Sequence, residues 1–191
     1  GIWHIKEHEQ FFLEKVPLHQ NITHTHKRLQ HMAGRLLLKV LYPDFPLPLI
    51  LIADTNKPFL ENEVFHFSIS HCGDYAAVII STISRVGVDI ELATQKIERI
   101  KYKFLNDSEL AMHSAVGKKL LTLFWSVKEA VYKWYGGGEV DFRKHINIVQ
   151  DNIDPDAGTI LCEFLKDGHV YLNISYTFFG DMCLAWLVTK T

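Results

Sequence analysis

Two segments of the chain share one pattern: a strand, a Gly-Asp turn and a second strand, each after a long helical stretch. The segments are ISHCGDYAAV at 69–78 and ISYTFFGDMCLAWLV at 174–188. Short runs of this type separated by turn residues predict β-hairpins. The repeat predicts an α+β fold with two similar α/β halves related by a pseudo-twofold axis, each a long helix packed on a small, mainly antiparallel sheet. The predicted halves are 1–85 and 86–191, although any two hairpins would share part of this pattern.

The two long helices are predicted from apolar periodicity. In HKRLQHMAGRLLLKVLY apolar residues recur at steps of three and four, and three prolines follow. KKLLTLFWSVKEAVYKWY has the same periodicity and ends at three glycines. Between them, LILIA is predicted to be a short buried strand and KIERIKYKFLN a helix. Asn106 and Glu109 have the spacing of a capping box that would begin a further helix.

Composition excludes several classes of protein. The chain has 191 residues, is 48% hydrophobic and carries a net charge of −2, so its overall field attracts neither nucleic acid nor an acidic membrane. No apolar run approaches the roughly 20 residues of a membrane span. The first ten residues lack a signal-peptide core, and three widely separated cysteines favour a reducing compartment. We therefore expect a cytoplasmic protein, and two halves would suffice as a monomer.

Asp89 and Glu91 lie two residues apart in VGVDIEL, a segment predicted to be a half-buried strand. Residues at this spacing point to the same face of a strand. Two adjacent carboxylates repel each other unless a cation joins them, and Mg²⁺ is typically bound by one or two carboxylates and phosphate oxygens. The pair therefore indicates a metal site, and a solvent-facing acidic pair at a strand end is the alternative.

The second long helix places Lys128, Glu129 and Lys133 among aromatic residues in FWSVKEAVYKWYGGG. Glu129 and Lys133 are four residues apart and share one helix face. Glu129 could complete a metal-binding set with Asp89 and Glu91, while Lys128 and Lys133 would contact phosphates of a ligand. The alternative is a helix whose charged residues are simply solvated.

SISHCGD contains a serine, a histidine and a cysteine in a row. Because adjacent strand residues point to opposite faces, Ser70 and His71 are poorly placed to act as nucleophile and base. His71 is better suited to contact a ligand phosphate, or to cap the turn.

Together the segments SISH, VGVDIE and FWSVKEAVYK resemble the 4′-phosphopantetheinyl transferase superfamily, in particular its surfactin-synthetase-activator-like branch. The family motifs are (V/I)G(V/I)DxE and (F/W)(S/C/T)xKE(A/S)xxK. The helix HKRLQHMAGR and the turn NKP also resemble family elements. The resemblance covers roughly residues 26–140 and implies two similar halves with the active site between them.

The resemblance also implies the reaction and the roles of the residues. The phosphopantetheine arm of coenzyme A would move to a serine of an apo acyl or peptidyl carrier protein, with release of adenosine 3′,5′-bisphosphate. Asp89, Glu91 and Glu129 would hold Mg²⁺, with Mn²⁺ possible, and Lys133 would stabilise the diphosphate. The general base would be Glu129 or a water on the metal.

The resemblance further implies which residues bind the coenzyme. Lys57, Ser70 and His71 would contact its nucleotide end, with Arg28 and also Arg35 adding positive charge. Lys128 would be a second phosphate contact, after Lys133.

A basic segment with apolar residues follows the predicted metal strand. TQKIERIKYKF carries Lys96, Arg99, Lys101 and Lys103, and it could dock an acidic carrier protein or be a solvated helix face.

Two other functions stay open. One is a relative that binds coenzyme A or a carrier without catalysis, and the other is a Mg²⁺-dependent phosphodiesterase.

Overall fold

The computed structural model describes residues 1–16, 22–112, 117–150 and 153–190, which contain six α-helices, one short 3-10 helix (Leu47–Leu49) and ten strands. The helices are α1 (Glu9–Leu13), α2 (Thr25–Leu41), α3 (Lys96–Phe104), α4 (Asp107–Met112), α5 (Lys118–Tyr135) and α6 (Phe142–His145). The strands are β1 (Ile2–His4), β2 (Leu51–Ile52), β3 (Pro58–Phe59), β4 (His66–Cys72), β5 (Tyr75–Ser81), β6 (Ser84–Leu92), β7 (Ile146–Ile148), β8 (Ala157–Phe164), β9 (Val170–Phe179) and β10 (Met182–Lys190).

The strands form two main antiparallel sheets. The first has the order β1-β5-β4 and the second the order β6-β10-β9-β8-β7, while β2 and β3 form a separate short pair. Both predicted Gly-Asp hairpins are present, as β4–β5 and β9–β10. Gly73 and Gly180 have φ of 53° and 59° in their turns, a left-handed conformation that glycine adopts at little cost. The hairpin predictions are confirmed.

Each main sheet is covered by one long helix. The buried face of α2 contributes Met32, Ala33 and Leu36 to Leu38 to the core over the smaller sheet. The buried face of α5 includes Leu123, Phe124, Val127 and Val131, in the core over the larger sheet. Gly136 ends α5 with φ of 75°, as the glycine run predicted.

Two serines of β4 join the sheets. The N–H of Val88 donates to Ser68 Oγ at 3.2 Å, and the N–H of Ile90 donates to Ser70 Oγ at 3.3 Å. Since residues two apart point to one face, β4 presents both hydroxyls to β6. Ala77, Val88, Ile90 and Met182 are buried beside this seam. The two sheets therefore meet along β4 and β6.

Several fold predictions need correction or stay open. The mixed α and β content and the antiparallel sheets are confirmed, but the sheets contain three and five strands, and the pseudo-twofold relation stays a prediction. The boundary after residue 85 falls inside β6. LILIA contains only the two-residue β2, whose side chains are exposed rather than buried. No helix among the described residues has both the length and the apolar character that crossing a membrane requires.

Candidate active site

The acidic pair of β6 lies at the seam between the two sheets. β6 has β10 on one edge, β4 on the other side and α5 packed against it. As a result Asp89 is only 2% exposed, and the strand is more deeply buried than its sequence predicted. Glu91 is partly buried, and its Oε1 accepts a hydrogen bond of 3.3 Å from Trp125 Nε1.

Gly87 allows α5 to lie directly on β6. A Cβ at this position would collide with the carbonyl oxygen of Ala130 and would lie 2.8 Å from Cβ of Trp134. The helix therefore approaches the strand to backbone contact, and the neighbouring side chains of α5 reach Asp89. The motif glycine thus has a packing role that the sequence interpretation did not identify.

Lys133 of α5 forms an ion pair with Asp89. Its Nζ lies 2.6 Å from Asp89 Oδ1 and 2.9 Å from Ser70 Oγ. The Ser70 hydroxyl donates to the same carboxylate oxygen at 2.8 Å. Ser70 was predicted to contact the nucleotide, but its hydroxyl donates to Asp89 and accepts from Lys133 and the Ile90 N–H. Its observed role is to support Asp89.

The carboxylates of this site repel one another. Burial, followed by the charge of Asp89, raises the pKa of Glu129 to about 7. Burial and Asp89 also raise the pKa of Glu91. Since Asp89 acts on both other acids and Glu91 acts on Glu129, the three carboxylates lie near one another.

The donor chemistry of this region fits a divalent cation. Asp89 Oδ2 is buried and has no hydrogen-bond partner among the described residues. A buried carboxylate oxygen without a partner, beside two acids with raised pKa, favours a bound cation. Across the described ranges, however, no three histidine, cysteine or acidic side chains lie close enough to form a ready metal site.

A cavity of about 260 Å³ opens beside these residues. Glu129, Lys133 and Tyr132 line it from α5, and Lys57 lines it from the NKP turn. Burial and the charge of Arg85 lower the pKa of Lys57 to about 8, so its ammonium is still largely protonated at neutral pH. The cavity therefore offers two lysines to an anionic ligand.

A second cavity of about 200 Å³ shares Asn56, Pro58 and Ile69 with the first. His31, Arg35 and His71 also line it. Arg35 is 6% exposed, and burial lowers its pKa to about 10, which keeps it charged. Its Nη1 contacts His31 Nδ1 at 3.1 Å, while its buried Nε has no hydrogen-bond partner among the described residues. The two cavities therefore adjoin, and both present basic side chains to a ligand.

Arg28, predicted to contact the coenzyme, is bound by other residues of the chain, and the coenzyme contact stays a prediction. Its Nε donates to Glu9 at 2.6 Å, and its Nη1 donates to the carbonyls of Ile22 and Thr23 at 3.0 Å. These contacts tie the start of α2 to α1. Arg35, the other arginine predicted to add positive charge near the coenzyme, lines the smaller cavity.

Lys128, predicted to contact a phosphate, is also placed differently. Its side chain is fully buried, and Nζ lies 2.7 Å from Glu109 Oε2. It also donates to the carbonyls of Phe104 at 2.8 Å and Phe142 at 3.0 Å. An ammonium has three N–H donors, so these contacts use all of them. In this arrangement Lys128 stabilises the C-terminal core, and its phosphate contact stays a prediction.

Glu109 is equally well satisfied. The Asn106 N–H donates to its Oε2 and the Ile148 N–H donates to its Oε1, each at 2.8 Å. The Glu109 N–H in turn donates to Asn106 Oδ1 at 2.8 Å, which confirms the predicted capping box. No local sequence signal predicts that this acid is the partner of Lys128, because the two residues lie on different helices.

The SISHC segment is not arranged for nucleophilic catalysis. Ser70 donates to Asp89, while His71 lines the smaller cavity, so the two side chains point apart as predicted. Burial and the charge of Glu91 raise the pKa of the Cys72 thiol to about 11. A thiol with such a pKa is a poor nucleophile at neutral pH.

Comparison with known proteins points to one family. Residues 85–185, more than half of the chain, match the family model of the 4′-phosphopantetheinyl transferase superfamily. The 4′-phosphopantetheinyl transferase AcpT of Escherichia coli (strain K12) is 30% identical over 118 residues, which is 58% of this chain and 60% of that protein. AcpT of Salmonella typhimurium is 30% identical over 121 residues, with the same shares covered. The chain spans about 60% of the length of the curated relatives it matches. The chain therefore belongs to the 4′-phosphopantetheinyl transferase superfamily.

Proposed function

We propose that the protein transfers the 4′-phosphopantetheine arm of coenzyme A to a serine of an apo acyl or peptidyl carrier protein and releases adenosine 3′,5′-bisphosphate. We further propose that it belongs to the surfactin-synthetase-activator-like branch. One observation carries the proposal: Glu129, Lys57 and Lys133 line one cavity, and Lys133 is paired there with the buried carboxylate of Asp89. That combination suits a diphosphate ligand and a divalent cation.

Asp89, Glu91 and Glu129 would hold the cation, Mg²⁺ or Mn²⁺. When bound, such a cation would neutralise negative charge on the diphosphate. The unpartnered oxygen of Asp89 and the raised pKa values of Glu91 and Glu129 support this assignment.

Glu129 is also a candidate for the general base. Without a cation its pKa is about 7, and a bound cation would lower this pKa and favour the carboxylate form that accepts a proton. Lys133 lines the same cavity and would donate to diphosphate oxygens as charge develops on the leaving group.

The nucleotide end of coenzyme A would lie toward the second cavity. Lys57, Arg35 and His71 line the two adjoining cavities and could contact its phosphates. The buried Arg35 Nε, which lacks a partner among the described residues, would gain an acceptor from a bound phosphate.

The carrier would dock on α3. Lys96, Arg99 and Lys103 are exposed, and Tyr102 beside them is 63% exposed. The apolar residues that the sequence assigned to docking pack into the core instead, with Phe104 fully buried. Charge would therefore supply most of the attraction to an acidic carrier.

A single assay tests the proposal. The protein is incubated with coenzyme A, Mg²⁺ and an apo-carrier, and the mass of the carrier is measured. We expect the carrier to gain one phosphopantetheine, and Glu129→Ala to abolish this gain. Coenzyme binding without transfer would indicate a binding protein, and cleavage without labelling of the carrier would indicate a phosphodiesterase. Either result would refute the transferase.

A further inference from the structure

The ammonium of Lys133 already occupies the acidic site. Nζ lies 2.6 Å from Asp89 Oδ1, and Ser70 Oγ completes a triangle with distances of 2.8 Å to the carboxylate and 2.9 Å to the ammonium. Asp89 is 2% exposed, whereas the Lys133 side chain is 24% exposed. The carboxylate is thus fixed, and its counter-charge is on a side chain that reaches solvent.

A divalent cation and the Lys133 ammonium compete for Asp89. Two positive charges repel each other strongly where water is excluded. The contact on Oδ1 therefore disfavours a metal on this carboxylate, even though Oδ2 is buried without a partner among the described residues. The same contact keeps Asp89 paired when no metal is bound.

The cavity offers Lys133 a second position. Lys133 lines it beside Lys57, and the flexible four-carbon stem of a lysine can move its ammonium without a backbone change. A diphosphate in this cavity would supply oxygens for the ammonium and would add ligands for a metal on Asp89.

We propose that Lys133 is the resident counter-cation of Asp89, so that the acidic site takes up a divalent cation only together with a diphosphate ligand that draws Lys133 away. This inference rests on the proposed function, because it takes coenzyme A as the diphosphate. It means that the protein binds the metal–coenzyme complex rather than the free metal. Lys133 then has one partner before binding and another afterwards.

The test measures the affinity of the protein for Mn²⁺, from the electron paramagnetic resonance signal of the free ion, without transfer chemistry. For the parent protein we expect weak binding alone and binding at least about tenfold tighter with coenzyme A. Adenosine 3′,5′-bisphosphate, which contains no diphosphate, should tighten Mn²⁺ much less. Lys133→Met should bind Mn²⁺ alone about tenfold more tightly than the parent, since one like charge is removed at close range.

Two variants serve as controls. Lys133→Arg keeps the charge, so its Mn²⁺ affinity without ligand should stay close to that of the parent even if Lys133→Met is unstable. Lys57→Met removes the other lysine of the cavity and should weaken coenzyme binding without raising the Mn²⁺ affinity of the ligand-free protein.

If the parent and Lys133→Met bind Mn²⁺ equally well without ligand, the inference is wrong, whether or not the protein is a transferase. A higher Mn²⁺ affinity for Lys133→Arg than for the parent would also overturn it. Failure of carrier labelling, with the Mn²⁺ results as expected, would instead refute only the proposed reaction.

Discussion

Replacing Lys128 by methionine tests whether the lysine is a structural residue or a ligand contact. The substitution removes the cation from Glu109, whose side chain is 2% exposed, and leaves the carbonyls of Phe104 and Phe142 without this donor. Breaking a buried ion pair by removing one partner costs roughly 3–5 kcal/mol. For a chain of this length, that loss lowers the melting temperature by roughly 10 °C.

Urea unfolding and thermal melts of the parent and Lys128→Met measure the effect. The matched control is Lys144→Met, because Lys144 forms an exposed pair with Asp141 and its side chain is 77% exposed. Exposed pairs contribute at most about 1 kcal/mol, so the control should unfold close to the parent. The double variant Lys128→Met/Glu109→Gln removes both charges and should recover part of the loss.

The reasoning would be refuted by a loss below about 1 kcal/mol in Lys128→Met, the size of an exposed pair. The double variant separates structure from binding. If Lys128 is only structural, this variant should bind coenzyme A as tightly as the parent. A large rise in the KM for coenzyme A would favour the phosphate contact predicted from the sequence.

Three further predictions concern Glu129, Gly87 and α3. Burial and neighbouring acids raise the pKa of Glu129 to about 7, so between pH 4.5 and 7 the folded protein keeps a proton that the unfolded chain loses. In EDTA, the free energy of unfolding should therefore fall by about 3 kcal/mol as the pH rises through this range. Urea unfolding at pH 5 and pH 8 measures this difference, which Glu129→Gln should lose. Gly87→Ala should lower the free energy of unfolding by about 3 kcal/mol, because the added methyl group meets the α5 backbone. The control is Gly117→Ala, whose methyl group would enter open space among the described residues. Thermal melts compare the two variants with the parent. Reversing Lys96 and Arg99 to glutamate should raise the KM for the carrier about tenfold and spare that for coenzyme A. Unchanged carrier kinetics would contradict docking on α3.

The sequence predicted the elements of this fold because their signals are local. The periodicity of α2 and α5, the Gly-Asp hairpins and the capping box of Asn106 each depend on residues a few positions apart. The same holds for the spacing of Asp89 and Glu91, which put both carboxylates in one strand. The four-residue spacing of Glu129 and Lys133 likewise predicted that they share a helix face, and both line one cavity.

What local signals did not predict are the distant partners of three side chains. Lys128 was assigned to the ligand because it precedes Glu129, but adjacent helix residues face different directions, and Lys128 points to Glu109 in the core. Arg28 was assigned from its charge, yet Glu9 on another helix binds it. Ser70 was assigned from its place in a motif, whereas its hydroxyl is used by residues of β6 and α5. Charge and local spacing do not determine which distant residue a side chain meets.

The absence of a side chain at Gly87 has a consequence for which parts of the molecule can change without altering the site. Because peptide groups touch there directly, the gap between strand and helix is set by atomic radii and not by any choice of packing residue. If a carrier docks on α3 as proposed, substitutions in α3 would leave the separation of the site residues on β6 and α5 unchanged. Carrier recognition would then change independently of the site geometry, which depends on the close approach of α5 to β6 at Gly87.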